Sequence, residues 1–253
     1  PINYNIDNTS NDGNIHITYG DEFYDTGFAP EWYDLSSENT RMDFDWTYHT
    51  KTRHKLKTGF EHTITDIQVL DIDEPWSGSS GFGANYDRYN AKTYFGAFYF
   101  QDRIIFEGMT LNIGFRTDYW IPGRYVEEAI SDTANIIITD EARKIFEEET
   151  FDFPWAGDPF KMKARLSPRF GISHPVTDND VLYFYYGHFS QLPTFQYVYA
   201  KINSKSQSTY QVFGNPNLNP KTTVQYELGL KHRFSEDQVL ELKAYWKDMF
   251  DYE

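Results

Sequence analysis

The sequence predicts an all-β chain: an antiparallel, up-and-down sheet of about eight long strands, the arrangement of a transmembrane β-barrel segment. Three observations predict it. Apolar and polar residues alternate with period 2 in one segment after another, and long helical patterns are few. The alternating segments run to about 10–15 residues, against about 5–6 for an ordinary globular strand and about 9–11 for a strand that crosses a membrane. The connections alternate between tight turns and long loops, which suits a barrel with turns at one rim and large loops at the other. A Greek-key sandwich would not alternate so regularly.

Taken in order, Met42, Phe44, Trp46 and Tyr48 alternate with Asp43, Asp45, Thr47 and His49. Leu56, Phe60 and Ile64 alternate with Lys57, Glu61 and Thr65. From about 91 to 106 both faces are aromatic (Tyr94, Phe95, Phe98, Tyr99, Phe100), so alternation leaves the facing open. The clearest strand has Leu111, Ile113, Phe115 and Tyr119 against Asn112, Gly114, Arg116 and Asp118. Leu166, Phe170 and Ile172 then alternate with Arg165, Arg169 and Ser173, and Leu182, Phe184 and Tyr186 with Tyr183 and Tyr185. Val224, Tyr226, Leu228 and Leu230 alternate with Gln225, Glu227, Gly229 and Lys231; Leu240, Leu242, Ala244 and Trp246 close the series against Glu241, Lys243 and Lys247.

Turns fall at Thr50-Lys51-Thr52, Glu107-Gly108, Pro175–Asp180 and Phe234–Gln238, all but the first with Gly, Pro, Asp, Asn or Ser nearby. Long connections cover roughly 69–90, 121–161 and 190–220, and loops beyond about 12–15 residues usually serve function or are disordered. Within the second, Thr139–Glu149 suits a short surface helix: Asp140 and Glu141 favour its N-terminus, while Glu147, Glu148 and Glu149 oppose the dipole at its end. Residues 1–37 lack a long strand, although Asn14–Tyr19 alternates briefly and suits a loop hairpin.

Alternation alone fits a soluble sandwich, apolar faces inward, as well as a membrane barrel, apolar faces toward lipid and polar faces toward the lumen. Strand length, loop asymmetry and aromatics near strand ends favour the barrel. Trp46 and Tyr48 precede a tight turn, and Tyr119, Trp120 and Trp246 are read as interfacial girdle residues near long loops. Composition narrows the classes further. A formal charge of −15 argues against nucleic-acid binding, which needs clustered cations. The absence of Cys removes thiol enzymes, zinc ribbons and disulfide scaffolds. Aromatics at 19 % argue for an ordered chain, since disordered acidic chains are poor in them.

Residues 94–119, YFGAFYFQDRIIFEGMTLNIGFRTDY, then resemble a hairpin of TonB-dependent outer-membrane receptors, with Y-x-Q-D before the turn and G-x-R-x-D after it. Residues 166–193, LSPRFGISHPVTDNDVLYFYYGHFSQLP, resemble the family's L-S-P-R-x-G hairpin, and residues 214–230, GNPNLNPKTTVQYELGL, its G-N-P-x-L-x-P approach to a later strand, with Lys221 where an acid is usual. The resemblance covers about 38–253; residues 1–37 read as an extracellular-loop-like segment. It implies a cell outer-membrane protein that takes up a scarce ligand, such as a siderophore, cobalamin, glycan or peptide, with energy from a TonB complex acting on a plug domain inside the barrel. It implies no catalysis, no cofactor and no nucleic-acid partner. The partners implied are outer-membrane lipid, the plug of the full-length chain and the TonB complex. Large transporters of this type have about 22 strands, so the sequence reads as an internal piece of one, lacking the plug and the final strands. As a piece it is expected to form an open curved sheet with two unpaired edges.

For sites, the seven His fall in no H-x-x-x-H or H-E-x-x-H frame, and Asp71, Asp73 and Glu74 lack the rest of an EF-hand loop, so no metal site is expected. No Ser has a G-x-S-x-G frame. Arg116, Asp118, Arg165, Arg169, Glu227 and Lys231 form an expected lumen-facing charge set that pairs across strands and faces the plug. Ligand contact is expected from loop aromatics: Trp76, Phe82, Tyr86, Trp155, Phe195 and Tyr197. A passive porin or barrel enzyme, or a soluble extracellular binding or adhesin domain, are the alternatives.

Overall fold

The computed structural model describes residues 16–17, 24–26, 32–51, 53–73, 85–153, 160–203 and 213–251. Two short strands, β1 (His16–Ile17) and β2 (Tyr24–Thr26), pair antiparallel. Eight long strands follow the chain in an open antiparallel path: β3 (Trp32–His49), β4 (His54–Asp73), β5 (Asn85–Phe106), β6 (Met109–Ile121), β8 (Phe160–Pro175), β9 (Asp180–Gln191), β10 (Lys221–Arg233) and β11 (Val239–Phe250). The three-residue β7 (Phe151–Phe153) pairs alongside β8. Among the described residues β3 pairs only with β4 and β11 only with β10, so the sheet is open with two edges, as expected.

The four tight turns join strands at one end. The β5–β6 turn is the tightest: Phe106 opposes Met109, and Glu107 and Gly108 both have positive φ (45° and 82°), the conformation a two-residue hairpin requires. The described parts of the β6–β8 and β9–β10 connections lie at the other end and hold three helices: α1 (Arg124–Ser131), α2 (Asp140–Glu149) and α3 (Phe195–Tyr199). Of these, only α2 is expected from the sequence. It carries the expected cap, with Thr139 accepting from the Ala142 amide at 3.1 Å. Lys161 meets Glu147 and Lys163 lies 3.7 Å from Glu149, offsetting the acids at the helix C-terminus.

The register carries one apolar face across all eight strands. Phe44 opposes Phe60, Phe60 opposes Phe98, Ile113 opposes Phe170, Phe170 opposes Tyr186, Tyr186 opposes Tyr226, and Tyr226 opposes Trp246. Met42, Phe44, Leu166 and Trp246 are 60–66 % exposed on it. A contiguous apolar surface of this extent would be unusual on a water-soluble monomer. On β4 the band runs from Leu56 to Ile64 and on β5 from Ile104 to Tyr94, which matches the ~9–11 residues a tilted strand needs to cross a membrane. The other face carries Arg41, Glu61, Lys57, Arg116, Arg169 and Glu227. It is the concave face: Arg165 on β8 reaches Asp251, just past β11, at 3.6 Å. Tyr94, Phe98 and Phe100 therefore lie on the apolar face, and Phe95 and Tyr99 on the concave one.

Above the band the faces exchange character. On β4, Ile67 and Val69 occupy the concave side and Asp66 and Gln68 the convex side. On β5, Ala91 and Tyr89 oppose Ile67 and Val69, and Lys92 and Asn90 oppose Asp66 and Gln68. The long strands therefore run well into the expected 69–90 connection, and β3 begins at Trp32, within the segment read as loop-like. The inversion has a cause. The helices fold inward over the concave side, and Ile67, Val69, Tyr89 and Ala91 join Trp120, Val126, Ala129, Ile130, Ile138, Phe146, Val198, Tyr199 and Ile202 in one buried core. Trp120 is thereby corrected from a girdle residue to a core residue. It is 1 % exposed, faces away from Tyr119, and donates to Thr93 at 2.9 Å.

Candidate functional site

The site begins where the polar wall meets the cap. Arg41 on β3 forks onto Asp43 at 2.8–2.9 Å and reaches Glu61 on β4 at 3.4 Å. Glu61 also accepts from Arg116 on β6, whose Nε donates to Asp118 at 2.6 Å. The result is a ladder of alternating charge built from three strands, water-exposed at Arg41 and Asp43 and partly buried at Glu61, Arg116 and Asp118, where the charge-assisted hydrogen bonds stand in for lost solvent. Above it, Lys163 of β8 is 4 % exposed. Its ammonium donates to the carbonyls of Asn217 and Leu218 at 3.1 Å and to Asn219 Oδ1 at 3.2 Å, with Glu149 at 3.7 Å. One lysine thus ties the wall to two long connections.

The cap is cross-braced in the same way. Arg143 donates to the carbonyls of Ile130, Asp132 and Asn135, and Asn135 donates to Ile202 O at 2.7 Å. Tyr199 donates to Pro122 O at 2.8 Å. In the strand extension above the apolar band, Asp87 accepts from the Lys201 amide at 2.8 Å, and burial raises its carboxyl above the usual range. Burial likewise raises the Tyr125 phenol beside it.

Between wall and cap lies a cleft of about 550 Å³, lined by Arg41, Glu61, Arg116, Asp118, Lys163 and Arg165 from the wall and by Glu148, Glu149, Phe151 and Asn219 from the cap. Its lining holds donors, acceptors and both signs of charge, which suits non-covalent recognition of a polar solute. Among the described residues no cluster of three His, Asp or Glu could hold a metal.

The expected charge set lies on this concave face, though only part of it lines the cleft. Arg116, Asp118 and Arg165 do. Arg169 lies lower, over the Phe189 ring at 5.0 Å; Glu227 accepts from Gln225 at 3.2 Å; Lys231 pairs with Glu241 at 3.3 Å. Of the expected ligand aromatics, Trp76, Phe82 and Trp155 lie outside the described residues. Phe195 turns into the cap, 6.2 Å from Phe95 and 6.0 Å from Tyr199 by ring centroids. Tyr197 on α3 and Tyr86 at the start of β5 are exposed on separate elements. Arg41, Glu61 and Lys163 were not singled out from the sequence. Asp43 stands two residues from Arg41 on the same face of β3, whereas only strand register brings Glu61 to Arg41 and Arg116.

A family model described as TonB dependent receptor-like, beta-barrel, matches residues 2–252. The chain belongs to this family. The TonB-dependent receptor barrel is an outer-membrane structure, so the convex apolar band is the lipid-facing surface and the concave wall faces the lumen. A search among curated proteins finds no match. Among solved structures, the copper transporter OprC superposes with a TM-score of 0.56 at 14 % identity, over 88 % of this chain and 32 % of that one. The ferric enterobactin receptor PfeA of Pseudomonas aeruginosa, a mutant form solved with enterobactin, gives 0.51 at 16 % identity, over 86 % of this chain and 27 % of that one. At such identities the likeness is one of fold. The chain spans about a third or less of the length of these neighbours.

Proposed function

We propose that the chain is a piece of the barrel of a receptor for TonB-coupled uptake, in which a scarce ligand is captured at the cap and released inward past a plug. The observation that supports this best is the inversion of the strand faces above the lipid band. A passive pore needs an open mouth, whereas here strands extend beyond the membrane and turn apolar inward to hold a folded cap over a charged cleft. In this reading residues 1–37 belong to the extracellular side, with 32–37 as the outward end of β3, and residues 38–253 are barrel. Loop aromatics, Tyr197 and Trp155 among them, contact the ligand, and the wall charges Arg116, Asp118, Arg165, Arg169, Glu227 and Lys231 face the plug. The protein moves its ligand without chemical change. A siderophore, cobalamin, a glycan or a peptide would suit the family, and the likeness of fold to a copper transporter and a ferric enterobactin receptor supports a metal or a ferric siderophore first.

The test is uptake by cells carrying the full-length receptor, with labelled ferric siderophores, cobalamin, oligosaccharides and oligopeptides offered in turn. Accumulation of one class that stops when TonB is inactivated is the expected result. Accumulation independent of TonB, at a rate linear in concentration, would mean a passive pore.

A further inference from the structure

The wall changes character along its length. Near the cap each arginine of the ladder has its carboxylate. Toward the β10–β11 turn Lys231 and Lys243 share Glu241, but toward the β3–β4 and β5–β6 turns the cations stand without a carboxylate. Lys55 and Arg103 oppose each other directly in the β4–β5 register, and Lys57 lies two residues along the same face. With Gln101 and Asn112 they line a recess of about 170 Å³ that contains no acid. It continues into a groove of about 390 Å³ that adds Arg169 and Tyr185.

Like charges directly opposite destabilise a strand pair, and none of the three cations has a side-chain partner among the described residues. The carboxylates nearby are engaged. Asp45 accepts from the Tyr99 hydroxyl, and Glu61 holds the two arginines of the ladder. Asp102, next in the chain to Arg103, points to the lipid side, where it meets His54 at 2.7 Å. In a chain of net charge −15, three uncompensated cations in one recess are no by-product of a basic composition.

We propose that Lys55, Lys57 and Arg103 form a docking site for carboxylate side chains of the plug. The proposal rests on the receptor reading above, which supplies a polypeptide inside the barrel. Charge complementarity sets the chemistry: a guanidinium fork takes a carboxylate with two hydrogen bonds and each ammonium takes another. The recess faces the lumen, so its occupant sits within the barrel. The cations spread over two strands, which matches several carboxylates on one segment better than a single small anion. The plug would then be held from its periplasmic half, below the cleft where ligand arrives.

Carbodiimide treatment of the full-length receptor in detergent tests this directly, because it joins a lysine amine to a carboxylate only where the two already touch. Mass spectrometry is expected to find Lys55 or Lys57 linked to an Asp or Glu of the plug. The variant Lys55→Arg/Lys57→Arg should lose the link while plug amide exchange stays as in the wild type. The variant Lys55→Glu/Lys57→Glu/Arg103→Glu should lose the link and speed plug amide exchange at least tenfold. A wild-type receptor with its plug in place but Lys55 and Lys57 unlinked, or linked only to barrel acids, overturns the proposal. A full-length chain with no plug ahead of the barrel would instead overturn the receptor reading.

Discussion

Gly123 joins the end of β6 to α1 with φ at +94°, and a Cβ there would lie 2.0 Å from the carbonyl oxygen of Lys92. Both the backbone and the space demand glycine. Gly123→Ala is therefore expected to loosen the cap by about 2 kcal/mol or more. Faster amide exchange in α1, with exchange in the β10–β11 hairpin unchanged, would show it; unchanged α1 exchange would refute it. Asp87 makes a second residue-level prediction. Burial raises its folded pKa above the unfolded value, so the closed cap binds a proton more readily than an opened one. Cap stability is then highest below the ordinary Asp pKa and declines as pH rises from there through the raised folded value. Asp87→Asn keeps an oxygen for the Lys201 amide and removes the charge. It should flatten the pH dependence of Lys201 exchange protection, after correction for the intrinsic rate, and a slope equal to the wild type would remove Asp87 from the account. Arg116 and Asp118 were legible as polar-wall residues because alternation marks a face. Their partners were not, since Glu61 comes from a different hairpin and meets Arg116 only through register. Lys163 was illegible for a related reason. In sequence it is one more charged position at the start of a strand, and its burial comes from residues 54 to 56 positions away.

At the scale of elements, the helix with side-chain signals was readable and those without were not. Thr139 and the acids after it announce α2, whereas α1 opens on Gly123 with no side-chain cap and α3 has five residues. Thr139→Ala should cost α2 about 1 kcal/mol, measurable as roughly a fivefold rise in amide exchange in its first turn; equal exchange would mean that packing of Phe146 alone holds the helix. The strands were legible within the lipid band and misjudged above it. Between Ile64 and Ile67 the apolar parity slips from even to odd positions, and a search for one continuous alternation stops there. The segment 85–93 keeps period 2 in the opposite phase, Tyr89 and Ala91 inward against Asn90 and Lys92. A phase reversal at a strand end is thus the local sign of a membrane boundary with a packed cap beyond it.

For the whole molecule, the sequence conveys which face meets lipid more securely than how the loops pack, because the first needs only a period and the second needs distant partners. That division makes a prediction across the sheet. Leu228 sits midway along the apolar stretch of β10 and is half exposed, while Gln225, three residues earlier, faces the lumen beside Glu227. A charge at the bilayer midplane costs about 2–4 kcal/mol on the lipid side of a barrel. On the lumen side an arginine meets water and, at position 225, a neighbouring carboxylate. In the full-length receptor Leu228→Arg is therefore expected to lower folding yield into lipid vesicles and to shift the denaturant midpoint downward, whereas Gln225→Arg should do neither. The heat-modifiable band on an unboiled gel reports the folded fraction for both. Equal effects at the two positions would mean that the convex face is not in lipid. The apolar band would then have to be covered by protein, and the inverted faces above it would lose their meaning as a membrane boundary.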